Sequence, residues 1–266
     1  MEEHPVLQHT TAVYFEHKKI FDLCERLYEL TQKVTDSMNE KWGSYGKWNN
    51  YKKFLALLLA RNIRAFSGCI MLCNEGQKNN AECLERVIVE SFIVLRFVQT
   101  NKEKLATRFF QYATVGIRRF FETLNAENPI VHPLKEELNI IAPDWKKRYE
   151  EVKALYPSER SWSGKSLDAM AQDANISEIY NSMYRFLSDM IHVSDGSLAG
   201  FLRKTDTGFA IEPNEETTTI NASLGLSFTF YYDILEEVRN EFNINMKQEF
   251  DQIWKEFEAV RDSQTK

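Results

Sequence analysis

The fold is decided by residues 52–98, KKFLALLLARNIRAFSGCIMLCNEGQKNNAECLERVIVESFIVLRFV. Apolar residues recur at helical spacing on both sides of the polar segment NEGQKNN, and Gly76 stands where a left-handed residue would end the first helix. Two helices joined by so short a turn must run antiparallel. The stretch therefore predicts a helical hairpin, with one helix from about residue 49 to 73 and the other from 81 to 100.

The rest of the chain repeats this pattern and contains few helix breakers. Ten Gly and six Pro among 266 residues are too few for the tight turns of an all-β protein. Further helices are predicted over residues 10–38, 102–124, 144–155, 166–173, 176–192, 217–240 and 245–260, with another beginning near residue 133. A small β-hairpin is predicted within residues 201–213. We predict an all-α fold in which residues 1–266 form a single domain of about eight helices.

Composition and charge restrict the classes of partner. A net charge of −6 provides no general basic field for nucleic acid, so any contact with RNA requires a local patch. The four cysteines show no metal-binding spacing and are expected to be reduced. No signal peptide and no clean apolar run of about 20 residues is found, so we expect a cytoplasmic protein without a membrane segment.

Charged residues interrupt the apolar hairpin and form the first candidate site. Arg61 and Arg64 lie on its first helix, and Arg86 and Glu90 lie one turn apart on the second. A buried Glu90 carboxylate would require an arginine partner. The group is interpreted either as an internal ion pair that fixes the helix register or as a pocket for an anion or a protein partner.

The predicted helix over residues 176–192 carries the second candidate site. Tyr184, Ser188 and His192 follow one another at every fourth position, and Arg185 lies seven residues before His192. Histidine is a general acid or base near neutral pH, and an arginine stabilises charge on phosphate. The structural alternative is a Ser–His hydrogen bond at a helix end. Asp189 and His192 lack the second acid–His pair of a helical metal site, so no metal and no other cofactor are predicted.

Three segments together resemble a known but uncharacterised family. They are residues 60–92, the segment WSGKSLDAMA at 162–171, and IYNSMYRFLSDMIHVS at 179–194. The resemblance is to a bacterial helical family catalogued as a domain of unknown function, over about residues 49–197. It implies an all-α fold and no particular reaction. The characteristic positions map to Arg61, Gly76, Ala81, Arg86, Glu90, Trp162, Tyr184, Ser188 and His192.

The segment from Arg185 to His192 also resembles the motif of the HEPN superfamily, in which an arginine precedes a histidine by a short interval near a helix end. Phe186 departs from that motif, where a polar residue is typical. The resemblance implies a metal-independent ribonuclease of bacterial defence that acts as a dimer. His192 would be its general acid or base and Arg185 would stabilise charge, while Ser188 or Tyr184 would orient the imidazole.

Three functions remain after the sequence has been considered. The first is a HEPN-like ribonuclease or toxin component with its site on the helix over residues 176–192. The second is a noncatalytic module that binds a ligand or protein through the pocket of Arg61, Arg86 and Glu90. The third is a structural subunit in which both groups of residues are polar networks of the core. A homodimer or another protein partner is compatible with the first two functions.

Overall fold

Helices follow one another along nearly the whole of the described chain. The computed structural model describes residues 12–42, 45–123, 136, 140, 144–156, 161–192, 202–206, 208–211 and 217–264. The first five helices are α1 (Ala12–Glu16), α2 (Lys18–Trp42), α3 (Asn50–Asn74), α4 (Lys78–Gln99) and α5 (Lys102–Thr123). They are followed by α6 (Trp145–Leu155), α7 (Leu167–Asp173), α9 (Ile220–Glu241) and α10 (Lys247–Gln264). Helix α8 consists of three consecutive segments, Ser177–Ile179, Tyr180–Tyr184 and Arg185–Ile191.

The all-α prediction is confirmed, with ten helices in the described ranges instead of about eight. The predicted hairpin is also present. Its strands, β1 (Leu202–Thr205) and β2 (Gly208–Ile211), pair antiparallel with Leu202 opposite Ile211. The predicted helix that begins near residue 133 falls largely outside the described residues, in which only positions 136 and 140 are seen, both helical.

Local signals in the sequence fix both ends of α3. The side chain of Asn49 accepts a hydrogen bond from the Lys52 amide at its start. At its end Gly76 has a φ of +73°, and its N–H bonds to the Cys73 carbonyl while the Gln77 N–H bonds to the Leu72 carbonyl. This pair of bonds is a Schellman motif. The predicted left-handed glycine is therefore confirmed.

Two helices differ from their predicted form. The helix predicted over residues 10–38 is divided at His17 into α1 and α2, and α2 continues to Trp42 because no helix breaker precedes Gly43. Helix α8 was predicted as regular, but its middle segment Tyr180–Tyr184 is π-helical, and the Arg185 N–H bonds to the Tyr180 carbonyl. A π-helical turn of this kind widens a helix locally and is frequent at functional sites.

The centre of the core is formed by α3, α4 and α9. Phe66 of α3 stacks on Tyr231 of α9 with ring centroids 4.3 Å apart. On another side of α9, Phe228 stacks on Phe257 of α10, also at 4.3 Å. Helix α2 packs against α9 and α10, α5 packs against α3 and α6, and α7 and α8 cover α4. This arrangement leaves one face of α3 directed to solvent beside α4.

Helix α3 also passes a simple test for membrane spans. By length and composition alone it is long and apolar enough to cross a bilayer, with a mean hydropathy of 1.5 over its most apolar window. Its buried residues, among them Phe54, Leu55 and Phe66, belong to the core. Core helices of soluble proteins meet the same test, and the absence of a membrane segment stays a prediction.

Candidate functional site

A groove of about 490 Å³ lies between the solvent-facing sides of α3 and α4. Its lining residues on each helix recur at intervals of three or four, about one helical turn, and therefore lie on the side of the helix that faces the groove. They are Ala60, Arg61, Arg64, Ala65, Leu84 and Val87. The two alanines leave the space open, Leu84 and Val87 form an apolar wall, and the two arginines supply the charge. The volume is in the range that holds a small-molecule ligand.

Helices α3 and α4 approach each other closely at Gly68. A Cβ atom placed on Gly68 would lie 2.5 Å from Leu84 Cδ1, the end of a flexible side chain, so a larger residue at this position would require Leu84 to shift. Gly68 comes one turn after Arg64 on α3. The absence of a side chain at position 68 therefore leaves space for the present position of Leu84, which lines the groove.

Arg61 and Arg64 are exposed at the groove, and neither makes an ion pair within the described ranges. The internal ion pair predicted between these arginines and Glu90 is therefore wrong. Glu90 is only half-buried, so water solvates its carboxylate and no arginine partner is required. Arg86 and Glu90 do not line the groove, which is formed from α3 with Leu84 and Val87 of α4.

Arg86 instead connects the two predicted sites. Its Nη2 donates a hydrogen bond of 2.8 Å to the Tyr184 hydroxyl on the π-helical turn of α8. Its guanidinium carbon lies 5.1 Å from the centroid of the same ring, and Tyr180 stacks on Tyr184 at 5.3 Å. Arg86 Nε is buried and has no hydrogen-bond partner among the described residues. Arg86 thus anchors α8 to α4 and is not available as a second arginine of the groove.

The other residues predicted on α8 lie towards its surface. Arg185 and His192 are exposed, and Ser188 is half-buried. The His192 amide donates to the Ser188 carbonyl at 3.2 Å, but no hydrogen bond joins the Ser188 hydroxyl to the imidazole. The structural interpretation predicted a Ser–His hydrogen bond at this helix end. That side-chain bond is not present between these two described residues, which are joined through backbone groups instead.

A buried carboxyl group that the sequence analysis did not identify lies at the α4–α9 contact. Glu85 is 2% exposed and accepts a hydrogen bond from the Ser223 hydroxyl. Desolvation by burial raises its pKa to about 8, although the bond from Ser223 acts in the opposite direction. The Sγ of Cys73 lies 3.8 Å from the same hydroxyl oxygen. Glu85 is therefore protonated at neutral pH and belongs to a buried polar cluster with Ser223 and Cys73.

Helical phase is the signal that identifies this group. Glu85 lies four residues after the buried Ala81, three before Ile88 and seven before Phe92, so all four share one face of α4. Glu90 belongs to a different face. The sequence analysis chose Glu90 because it is a charged residue within an apolar segment. The position of Glu85 on the same helical face as the buried residues of α4 identifies Glu85 instead.

Other ligand types were considered for the described residues. They contain no group of three His, Cys, Asp or Glu side chains able to hold a metal ion. Cys24, Cys69 and Cys73 are buried free thiols, and Cys83 is exposed. Burial raises the pKa of Cys69 and Cys24 well above the usual value, so both are unreactive thiols at neutral pH.

A family model described as "Family of unknown function (DUF5677)" matches residues 52–209. This range contains the groove, the Arg86–Tyr184 contact and the whole of α8. No curated protein and no solved structure matches the chain.

Proposed function

The chain belongs to the family of unknown function DUF5677, and because that description assigns no reaction, we propose a function from the geometry of the groove. The protein is a noncatalytic binding module whose α3–α4 groove holds a ligand with a negative charge beside an apolar body. The observation that carries this proposal is a pair of exposed arginines, Arg61 and Arg64, above a wall of Leu84 and Val87; neither arginine makes an ion pair in the part of the chain that the structure describes.

The side chains of the groove support binding more than chemistry. Guanidinium groups bind carboxylate and phosphate through paired N–H donors, and their desolvation costs less than that of an ammonium group because they are more weakly hydrated. The other lining residues are aliphatic and supply neither a nucleophile nor a group that exchanges protons. An anion alone would leave the apolar wall in contact with water. A ligand that combines an anionic group with a hydrocarbon portion uses both parts of the groove.

Thermal unfolding with matched probes tests this proposal. Octyl phosphate supplies both parts, inorganic phosphate supplies only the anion, and octyltrimethylammonium supplies the same chain with the opposite charge. We expect octyl phosphate alone to raise Tm, by about 5 °C at a hundredfold excess over Kd. The Arg61→Gln/Arg64→Gln variant should lose this response. Arg148→Gln, which changes an exposed arginine of α6 in the described chain, should retain it.

Specific filling of the groove provides an independent variant. Ala60 is exposed and lines the groove, so Ala60→Trp occupies the space without entering the core. It should abolish the octyl phosphate response, whereas Ala259→Trp, at an exposed alanine of α10, should not. An equal response in Ala60→Trp and wild type would refute the groove as the binding site.

A second candidate function is the HEPN-like, metal-independent ribonuclease, with the cytoplasm as its proposed location. The exposure of Arg185 and His192 supports it, because a phosphodiester can approach both side chains. In this reaction His192 would exchange protons with the attacking 2′-hydroxyl and the leaving oxygen, and Arg185 would stabilise the phosphorane. Tyr184 accepts a hydrogen bond from Arg86 and would hold α8 in place.

Induced expression in a bacterial host tests the second candidate. We expect wild type to arrest growth and fragment RNA, and His192→Ala to do neither at an unchanged Tm. Asn181→Ala, at an exposed position of the same helix, serves as the matched control and should behave as wild type. Intact RNA in cells that accumulate folded wild-type protein would count against the ribonuclease and leave the binding module as the proposal.

A further inference from the structure

Large apolar side chains extend the α3 face beyond both ends of the groove. Leu57 is 49% exposed on one side of the two arginines, and Met71 is 53% exposed on the other. Leu57, Arg61, Arg64 and Met71 follow at helical spacing and therefore form one stripe along α3. The order along this stripe is apolar, basic, basic, apolar. Exposed leucine and methionine in such a pattern are typical of a binding surface.

The length of the stripe restricts its occupant. The fourteen residue steps from Leu57 to Met71 span about 21 Å, or four helical turns. A short amphiphile in the groove contacts the arginines and the apolar wall, but it does not reach Leu57 and Met71 together. A helix of about fifteen residues laid along α3 contacts all four side chains, with anchors at every third or fourth position.

We propose that the α3 stripe and groove bind an amphipathic helix of a partner protein, with acidic residues at its centre and apolar residues at both ends. This inference rests on the proposed binding function and assigns its ligand. Charge complementarity selects the acidic centre, because Arg61 and Arg64 lie without ion-pair partners among the described residues. It also disfavours a second copy of this chain, since a two-fold axis at the stripe centre would place Arg64 against Arg64.

Fluorescence polarisation with synthetic peptides tests the inference. The probe is a labelled peptide of about fifteen residues with leucines at both ends of one helical face and glutamates at its middle. The control peptide carries lysines in place of the glutamates. We expect wild type to bind the glutamate peptide at least about tenfold more tightly than the lysine peptide. The Arg61→Glu/Arg64→Glu variant should reverse this preference.

The apolar ends have their own matched pair of variants. Leu57→Ser should weaken binding of the glutamate peptide about tenfold, because it removes one terminal anchor. Leu155→Ser changes a leucine of α6 that is 60% exposed and should leave binding unchanged. Equal binding by Leu57→Ser and wild type would overturn the claim that the partner extends along the full stripe.

The octyl phosphate experiment separates this inference from the proposed function. If octyl phosphate stabilises the protein but the glutamate peptide shows no preference over the lysine peptide, the helical partner is refuted and the binding module stands. If neither probe binds, both proposals fail. Binding of the glutamate peptide that survives in Arg61→Glu/Arg64→Glu would also overturn the inference, because the arginines would then not recognise the partner.

Discussion

The buried carboxyl group of Glu85 leads to a specific prediction about stability and pH. Its side chain is 2% exposed, and burial raises its pKa from 4.5 to about 8. Below pH 4.5 the group is protonated in both the folded and the unfolded chain. Between pH 4.5 and 8 the unfolded chain loses the proton and the folded protein keeps it. The free energy of unfolding therefore falls as pH rises through this window, and the contribution is constant above it.

The magnitude follows from the width of the window. Each pH unit between the two pKa values lowers the free energy of unfolding by about 1.4 kcal/mol, which amounts to about 3 kcal/mol at pH 7. Glu85→Gln removes the titration and keeps an oxygen that accepts the hydrogen bond from Ser223. The variant should therefore match wild type near pH 4.5 and exceed its stability by up to about 3 kcal/mol at pH 7.

Urea unfolding at pH 4.5, 6, 7 and 8.5 measures this difference directly. Glu90→Gln is the matched control, since it removes a half-buried carboxylate of the same helix that makes no ion pair in the described chain. Its difference from wild type should not follow pH in the same way. A constant difference between Glu85→Gln and wild type from pH 4.5 to 8.5 would refute the conclusion that folding retains a proton on Glu85.

Two further predictions concern local structure and are checked by the same unfolding measurements. Gly76→Ala should destabilise the protein by about 1 kcal/mol, because φ is +73° at this position. Gly116→Ala, at an open helical position of α5, should stabilise it by up to about 1 kcal/mol. Destabilisation by both variants would contradict this contrast. Tyr184→Phe should cost about 1–2 kcal/mol because it removes the acceptor of the Arg86 hydrogen bond, and Tyr180→Phe should cost little. Equal costs would show that this hydrogen bond contributes nothing.

Local chemistry made most of the fold predictable. The predicted range of α3, residues 49–73, agrees with the observed Asn50–Asn74 to within one residue at each end. The agreement is close because the two signals that end this helix, Asn49 and Gly76, act on backbone groups only a few residues away. Ser166 similarly caps α7 by accepting a hydrogen bond from the Ala169 amide. The π-helical turn of α8 was not predictable in this way, since its tyrosines are set by a contact with Arg86 on another helix.

The candidate site was predicted only in part, for a related reason. The sequence indicated that Arg61 and Arg64 have functional potential, and the structure places both in the groove. Arg86 and Glu90 were assigned to the same pocket. Whether a residue of α4 lines the groove depends on how α4 is rotated about its own axis against α3 and α8, which the sequence does not specify. One turn separates Arg86 from Glu90, and neither faces the groove. Glu85 was missed because its partner Ser223 lies on α9, far away in the chain.

The π-helical turn of α8 holds one residue more than an α-helical turn of the same span. Deletion of Ser182 within the turn would therefore convert it into an α-helical turn and leave Arg185, Ser188 and His192 in their present directions. Substitution of Ser182 removes only its hydrogen bond to the Glu178 carbonyl. The extra residue thus determines the local width of α8 beside Arg86, where Tyr184 binds, and not the direction of the side chains that follow.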